Sequence, residues 1–299
     1  MPRIHVLGNP DAGRGKGAAR TDAAIARLRS HGIDPVVHQG ASAADSRRLA
    51  AEAVAARPDA LVIVGGDGTL ATVVDVLTGS GVPLVLVPAG TGNDLARSLG
   101  IPYDSAEGAA HAVDAAVAGS RHSLDVGEAI CPDATARFLT VAALGFDAKV
   151  SERTNRLRWP RGTARYYLAL LIELFRLAPM RFSLRVDGED ARVSDGTLIA
   201  VGNIRSYGGG MPVCPGADPH DGLLDITHVG PVGRLKLLRL FPRLLRGTHV
   251  QLPEVTTMHG REIEVSAPGL VVYADGERIG TGSARIRVLP GALTVLLPR

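Results

Sequence analysis

Val62-Ile63-Val64-Gly65-Gly66-Asp67-Gly68-Thr69-Leu70 reads as a strand, a tight turn and the start of a helix. The β-branched run ends at Val64, three glycines and one aspartate follow, and apolar residues then recur at helical spacing as Leu70, Val73, Val74 and Leu77. Gly65 and Gly66 open backbone conformations closed to other residues and let a ligand approach the main chain. Thr69 is placed to cap the helix, whose free N–H groups and positive dipole end attract an anion. Asp67 puts a carboxylate where a phosphate would sit, an arrangement that needs a metal ion or a hydroxyl donor between them. The combination points to a magnesium–nucleotide site, with an ordinary glycine turn between strand and helix as the alternative.

A second loop has the same design. Leu84-Val85-Leu86-Val87 is a short buried-strand pattern, and Pro88-Ala89-Gly90-Thr91-Gly92-Asn93-Asp94-Leu95-Ala96 follows it. Two parallel strands would deliver both loops to the carboxyl edge of one sheet, where open α/β sheets bind their ligands. Thr91 and Asn93 offer neutral hydrogen-bonding groups, and Asp94 is either a helix cap or a carboxylate beside a metal.

With both motifs in place, the chain resembles the diacylglycerol kinase catalytic family of lipid kinases, which includes bacterial diacylglycerol kinases and the sphingosine kinases. Gly65-Gly66-Asp67-Gly68-Thr69 is shared with NAD kinases and phosphofructokinases, whereas Gly90-Thr91-Gly92-Asn93-Asp94 in this order and distance favours the lipid kinases. The resemblance extends over nearly the whole chain. It implies that ATP is held by Asn9, Pro10 and Gly13 of the first glycine-rich loop, by Gly65 to Thr69, and by Gly90 to Asp94. Pro215 to Asp225 resembles the family's magnesium turn, which implies Mg2+ on Asp218, Asp221 and the carbonyl of Leu223. Taken alone, Asp221-Gly222 also fits a plain turn between strands. Asp275-Gly276-Glu277 reads as a hairpin turn, and the resemblance implies that Glu277 is the base for the acceptor hydroxyl, with Asp67 the second catalytic carboxylate. Two departures stand out: Gln39-Gly40-Ala41-Ser42 where relatives often carry threonines, and Ala71-Thr72 where many carry Asn-Glu.

The 299 residues are 45% hydrophobic, enough for two packed domains. No apolar run approaches the roughly 18–20 residues that span a bilayer; Tyr167 to Leu177 is short and holds Glu173 and Arg176. The first residues enter a strand at once, leaving no room for a signal peptide. Cys131 and Cys214 have no metal spacing and read as two reduced thiols. The expected location is the cytoplasm, with peripheral contact at the inner face of the membrane. The net charge is +3, and the 33 basic residues comprise three lysines and thirty arginines, the bias of a GC-rich genome. With 4% aromatic residues and no recognised motif, nucleic acid is set aside as a partner.

Strands alternate with helices through the first part of the chain, predicting a doubly wound parallel α/β domain of NAD kinase-like type over residues 1–121. Its elements are strands at Arg3–Leu7, Ile33–His38, Ala60–Val64 and Leu84–Val87, and helices ending near Ser30, at Ser42–Ala56, Leu95–Leu99 and Ser105–Ala118. Lys16 in the first loop either touches a phosphate or is solvated. Residues 122–290 predict a mainly antiparallel β-sandwich, and residues 291–299 a last strand that may return to the first domain. Strands are expected at His122–Ile130, Arg137–Ala143, Phe182–Val186, Thr197–Asn203, Leu223–His228, Arg261–Ser266, Leu270–Tyr273, Ala284–Leu289 and Leu293–Leu297. Two helices are expected among them, Tyr166–Leu177 and Gly233–Arg246. Asp125 lies either near a cleft between the domains or at the surface, and Ala143 to Ala148 reads as a packing and turn element. Five arginines surround Trp159 in Arg153–Arg165, which is either a solvated linker or a contact for anionic headgroups. The leucine- and arginine-rich segment Gly233–Arg246 suits a membrane interface better.

The expected activity is ATP-dependent phosphorylation of a lipid hydroxyl in an interdomain cleft, diacylglycerol to phosphatidic acid first among the options. A sphingoid-base kinase and an NAD kinase are the alternatives within the enzyme class, and a non-catalytic lipid carrier or sensor is the alternative outside it. A homodimer is compatible with the sequence.

Overall fold

Residues 60–65 and 84–88 are apolar without alternation, as are residues 4–8 apart from His5, the pattern of strands covered on both faces. The computed structural model describes residues 2–103, 105, 111–157, 159, 160, 165, 168, 169, 172, 173 and 178–298. In it these runs are β1 (Ile4–Gly8), β3 (Ala60–Gly65) and β4 (Leu84–Pro88), each buried along its length. With β2 (Val36–Gln39) they form a parallel sheet in the order β2-β1-β3-β4. Helices α1 (Ala12–Ser30), α2 (Ala43–Ala55) and α3 (Asp67–Leu77) link consecutive strands. α3 buries Leu70, Val73, Val74 and Leu77, the stripe its sequence spacing requires. The Ser42 hydroxyl accepts from Asp45 N and the Asp45 carboxylate accepts from Ala41 N, so Ser42 serves as the N-cap of α2.

After β4 come α4 (Asp94–Ser98), ended by Gly100 at φ +67, and α5 (Asp114–Ala118). Residues 106–110 of the helix expected at Ser105–Ala118 lie outside the described residues. The chain divides into one unit of Met1–Val126, Gly208–Gly210 and Pro290–Arg299, and a second of Gly127–Tyr207 and Met211–Leu289. Two strands run from one unit into the other, β5 (Ser120–Ile130) and β16 (Ala284–Leu297). At its far end β16 pairs Val295 in parallel with Leu84. Asp125 is buried and its Oδ1 accepts from Gly291 N at 2.7 Å, so it is not a surface residue.

The second unit holds two sheets. In one, β8 (Met180–Val186) lies between β9 (Arg192–Gly196) and β13 (Glu262–Ser266), with the first half of β16 beyond β13; β5 pairs with β6 (Thr135–Phe138). The other sheet is antiparallel in the order β12-β11-β10-β7-β14-β15. Its strands are β7 (Val141–Gly145), β10 (Leu198–Gly202), β11 (Leu224–Val229), β12 (Val255–Gly260), β14 (Val271–Ala274) and β15 (Glu277–Thr281). Phe138, Phe182, Leu144, Ile199, Ile226 and Val272 belong to a single core cluster to which both sheets contribute. A separate cluster contains Val141, Leu198 and Val255 with Phe146 and Val150 of α6 (Phe146–Arg156) and Leu237 and Leu240 of α7 (Arg234–Leu244). β7 and β10 are therefore covered on both faces and carry no polar alternation.

The α/β unit and β-sandwich are as the sequence predicts, with several local differences. Helix α6 stands where a packing and turn element was expected. Arg137–Ala143 is two strands because Leu139 N and Thr140 N turn aside to the Asp275 carboxylate. The stretches Ala284–Leu289 and Leu293–Leu297 form one strand that continues through Pro290 and Gly291. β9, β12 and β15 were not foreseen. Most of Tyr166–Leu177, with Arg158 and residues 161–164 of the tryptophan segment, lies outside the described residues, while Trp159 is exposed. Cys131 and Cys214 are free thiols, and burial pushes Cys214 up to about 12, so it stays protonated. No helix among the described residues is long and apolar enough to cross a membrane.

Candidate active site

Three loops leave the carboxyl ends of β1, β3 and β4, and glycine lets them touch. A Cβ on Gly66 would lie 2.6 Å from the Gly90 Cα, so only two glycines allow this approach. A Cβ on Gly13 would run into the Ala89 carbonyl, which brings the first loop against the third. Asn9 joins the first loop to the second: its backbone N–H donates to Val64 O at 3.1 Å and its Nδ2 to Thr69 Oγ1 at 3.1 Å. Pro10 follows directly, and Asp11 N donates back to Asn9 Oδ1 at 3.2 Å. Asn9, Pro10, Gly13, Gly65 to Thr69 and Gly90 to Asp94 are thus gathered at one sheet edge.

Two expectations are corrected here. Thr69 does not cap α3: Gly66 is the N-cap, and Thr69 sits inside the first turn, where its hydroxyl accepts from Asn9. Asp94 does not cap α4 either, because Asn93 holds that position in the left-handed conformation at φ +54. The Asn93 side chain closes the third loop, with Oδ1 accepting from Gly90 N at 2.9 Å and Nδ2 donating to Gly90 O at 3.0 Å. Thr91 and Gly68 remain exposed at the loop tips.

The carboxylate that does serve α4 comes from the neighbouring loop. Asp67 Oδ1 accepts from Leu95 N at 3.3 Å, and the N–H groups of Asn93 and Asp94 also stabilise its charge. Burial nevertheless raises the Asp67 pKa, and the like charge of Asp94 raises it further. Both carboxylates crowd Gly92, where a Cβ would lie 2.9 Å from Asp67 Oδ2 and 3.3 Å from Asp94 Oδ2. Asp94 in turn accepts from Gly209 N at 2.8 Å and Gly210 N at 2.6 Å. Gly208, Gly209 and Gly210 all have positive φ, so this fourth loop favours glycine at each position.

In the sequence this triglycine loop, within Tyr207–Pro212, counts towards the family resemblance but carries no assigned role, and Arg97 is not singled out. Arg97 Nε donates to Gly92 O at 3.1 Å, and its guanidinium stacks 4.2 Å over the Tyr103 ring. The guanidinium also lies beside Gly210, where a Cβ would sit 3.5 Å from Nη1. An exposed cation is thereby held beside two glycine loops. The available signal was its position one helical turn after Asp94.

In the second unit, Ala274 pairs with Glu277 across Asp275-Gly276, which have φ of +49 and +82, the mirror-type turn that Asp-Gly favours. The Asp275 carboxylate accepts from Leu139 N at 2.9 Å and from the Thr140 N and Oγ1 at 2.8 and 2.5 Å. Asn155 Nδ2 donates to Gly276 O at 3.2 Å. Glu277 is consequently an exposed carboxylate at the start of β15, on a turn fixed from both sides.

Asp218 Oδ1 accepts from His220 N at 3.1 Å and Asp221 Oδ1 from Leu223 N at 2.9 Å, so each carboxylate keeps its other oxygen for a ligand. Among the described residues no three His, Cys, Asp or Glu side chains converge as a metal cage. Carboxylates and backbone carbonyls are the hard oxygen donors that magnesium takes, and it keeps several waters and uses few protein carboxylates.

A parallel α/β unit with apposed glycine loops at its carboxyl edge, followed by a β-sandwich, is the arrangement of the NAD kinase-like fold. Residues 3–129 match the diacylglycerol kinase catalytic domain, and residues 140–297 match the YegS C-terminal NAD kinase beta sandwich-like domain. A diacylglycerol kinase of Mycobacterium tuberculosis is 46% identical over 99% of this chain and 96% of its own length. A probable YegS-like lipid kinase of Pseudomonas fluorescens is 35% identical over 92% of this chain and 90% of its own. The crystal structure of a putative diacylglycerol kinase from Bacillus anthracis superposes with a TM-score of 0.79 at 22% identity, covering 99% of this chain and 97% of that one. An NAD kinase from Archaeoglobus fulgidus in complex with ATP gives a TM-score of 0.55 at 17% identity, covering 98% and 92%. The chain belongs to the diacylglycerol kinase catalytic family of lipid kinases.

Proposed function

We propose that the protein transfers the γ-phosphate of ATP to the primary hydroxyl of diacylglycerol, giving phosphatidic acid. The observation that carries this reading is the contact of Gly66 with Gly90, which brings two loops of backbone N–H groups together beside the Asp67 carboxylate. Phosphoryl transfer asks for alignment and charge neutralisation more than for covalent chemistry. The loops at Asn9–Gly13, Gly65–Thr69 and Gly90–Asp94 hold the phosphates. Arg97, with no carboxylate within ion-pair distance among the described residues and restrained by Gly92 and Tyr103, offsets their charge. Asp67 orients the γ-phosphate, its own position set by the N-terminus of α4.

Glu277 accepts the hydroxyl proton as the lipid oxygen bonds to phosphorus and the bond to the bridging oxygen of ADP breaks. Magnesium, when bound, screens phosphate charge, and Asp218, Asp221 and the Leu223 carbonyl are the residues that would hold a structural ion. The 46% identical relative named diacylglycerol kinase favours diacylglycerol over a sphingoid base or NAD as acceptor. A lipid acceptor puts the reaction at a membrane, and we assign the protein to the cytoplasm in contact with the anionic inner face.

The test is Glu277→Gln. Turnover is expected to fall by two to four orders of magnitude, about the worth of a general base. ATP affinity, read by calorimetry, is expected to stay unchanged. Wild-type turnover in the variant, or joint loss of turnover and ATP binding, would remove Glu277 from the role of base.

A further inference from the structure

We infer that helix α7 is the surface by which this protein sits on an anionic bilayer, lying in the plane of the interface. The inference rests on the lipid-kinase reading above for its biological sense, but its evidence is the helix itself. Sequence alone shows leucines alternating with arginines from Arg234 to Arg246. The structure divides the leucines into two sets. Leu237 and Leu240 are buried in the second unit's core, with Leu244 packed against the same cluster. Leu235, Leu238 and Leu245 point away, at 75%, 47% and 47% exposure. At 100° per residue, Leu235, Leu238, Pro242 and Leu245 form one continuous outer band.

Cations flank that band on both sides. Arg234 lies along one edge, and Arg239, Arg243 and Arg246 lie along the other. None of these four arginines has a carboxylate within ion-pair distance among the described residues, whereas Lys236, nearer the core side, is paired with Glu254. Many other arginines of the chain are paired, for instance Arg27 with Asp114, Arg153 with Glu173 and Arg287 with Glu128. Four uncompensated guanidiniums around exposed leucines are what an anionic lipid surface neutralises: leucines enter the acyl boundary while the long arginine stems reach up to the headgroups. An acidic groove on a protein would need carboxylates along both edges of an apolar slot, a narrower requirement than a bilayer of anionic lipid.

The test is cosedimentation of the full chain with vesicles of phosphatidylglycerol and, separately, of phosphatidylcholine. Wild type is expected to bind the former and not the latter, and to be released as salt is raised. The double variant Arg239→Ala, Arg243→Ala should weaken partitioning about 25-fold, from about fivefold per arginine. Leu235→Glu with Leu238→Glu should abolish it. Both pairs are exposed, so circular dichroism should be unchanged, as should turnover of a dispersed short-chain diacylglycerol; only turnover of vesicle-borne diacylglycerol should fall. Wild type that ignores phosphatidylglycerol vesicles, or variants that bind them as well as wild type, would overturn the proposal and turn the face towards an acidic protein partner. If binding follows the helix but no diacylglycerol is phosphorylated in either form, the docking surface stands and the acceptor assignment falls.

Discussion

Asp67 is held in a position that disfavours its charge. Burial and the neighbouring Asp94 raise its pKa, against the pull of the N–H groups at the start of α4. Its folded-state value therefore lies above the ordinary 3.8, and the protein binds this proton more tightly folded than unfolded. The contribution is fully present below 3.8 and is lost as pH rises through the raised value. Asp67→Asn removes that dependence. The melting temperature of the variant relative to wild type should climb from acid to neutral pH, while phosphoryl transfer is lost throughout. A difference that is flat with pH would contradict the charge argument. At this scale the sequence singled out residues without showing what they touch. Asp94 looked like a cap or a metal ligand because its partners, Gly209 and Gly210, are over a hundred positions away.

Elements were legible where burial alone decides them. β1, β3, β4, β7 and β10 are covered on both faces, and their apolar runs, broken only by His5 in β1, say so. β9 was not, because Arg192-Val193-Ser194-Asp195-Gly196 is an exposed edge strand held by pairing to β8. Helix α6 was missed for a related reason: of Phe146 to Arg156 it buries Phe146, Ala148 and Val150 in core clusters, all within its first half, and the rest of its sequence is polar. The Asp-Gly turn between β14 and β15 was read from sequence, but not the anchoring that makes it firm. Asp275→Ala removes an acceptor from two backbone N–H groups and a hydroxyl, and places alanine at φ +49. It should cost about 2–4 kcal/mol of stability by urea denaturation and lower kcat more than it raises KM for ATP. Asp275→Asn, which tolerates the left-handed conformation and keeps one acceptor, should recover part of both. Equal losses for the two variants would mean that the turn does not depend on this anchor.

At the scale of the whole molecule, one chain supplies a nucleotide-type loop cluster in its first unit and an exposed carboxylate on a braced turn in its second. Relatives named as diacylglycerol and lipid kinases match it along nearly its full length, so both parts belong to the same family pattern. The class of chemistry was readable from two glycine motifs because phosphate binding uses the backbone, and only glycine lets two backbones come so close. The acceptor was not readable, since an apolar acyl pocket leaves no short motif. The most direct measurement is transfer of label from γ-labelled ATP with magnesium, offering diacylglycerol and sphingosine in micelles and NAD in solution. Label in organic-extractable phosphatidic acid, with none in the sphingosine or NAD reactions, is the predicted result. Label confined to NAD or sphingosine would contradict the acceptor, and lipid binding with no label in any product would contradict the kinase itself.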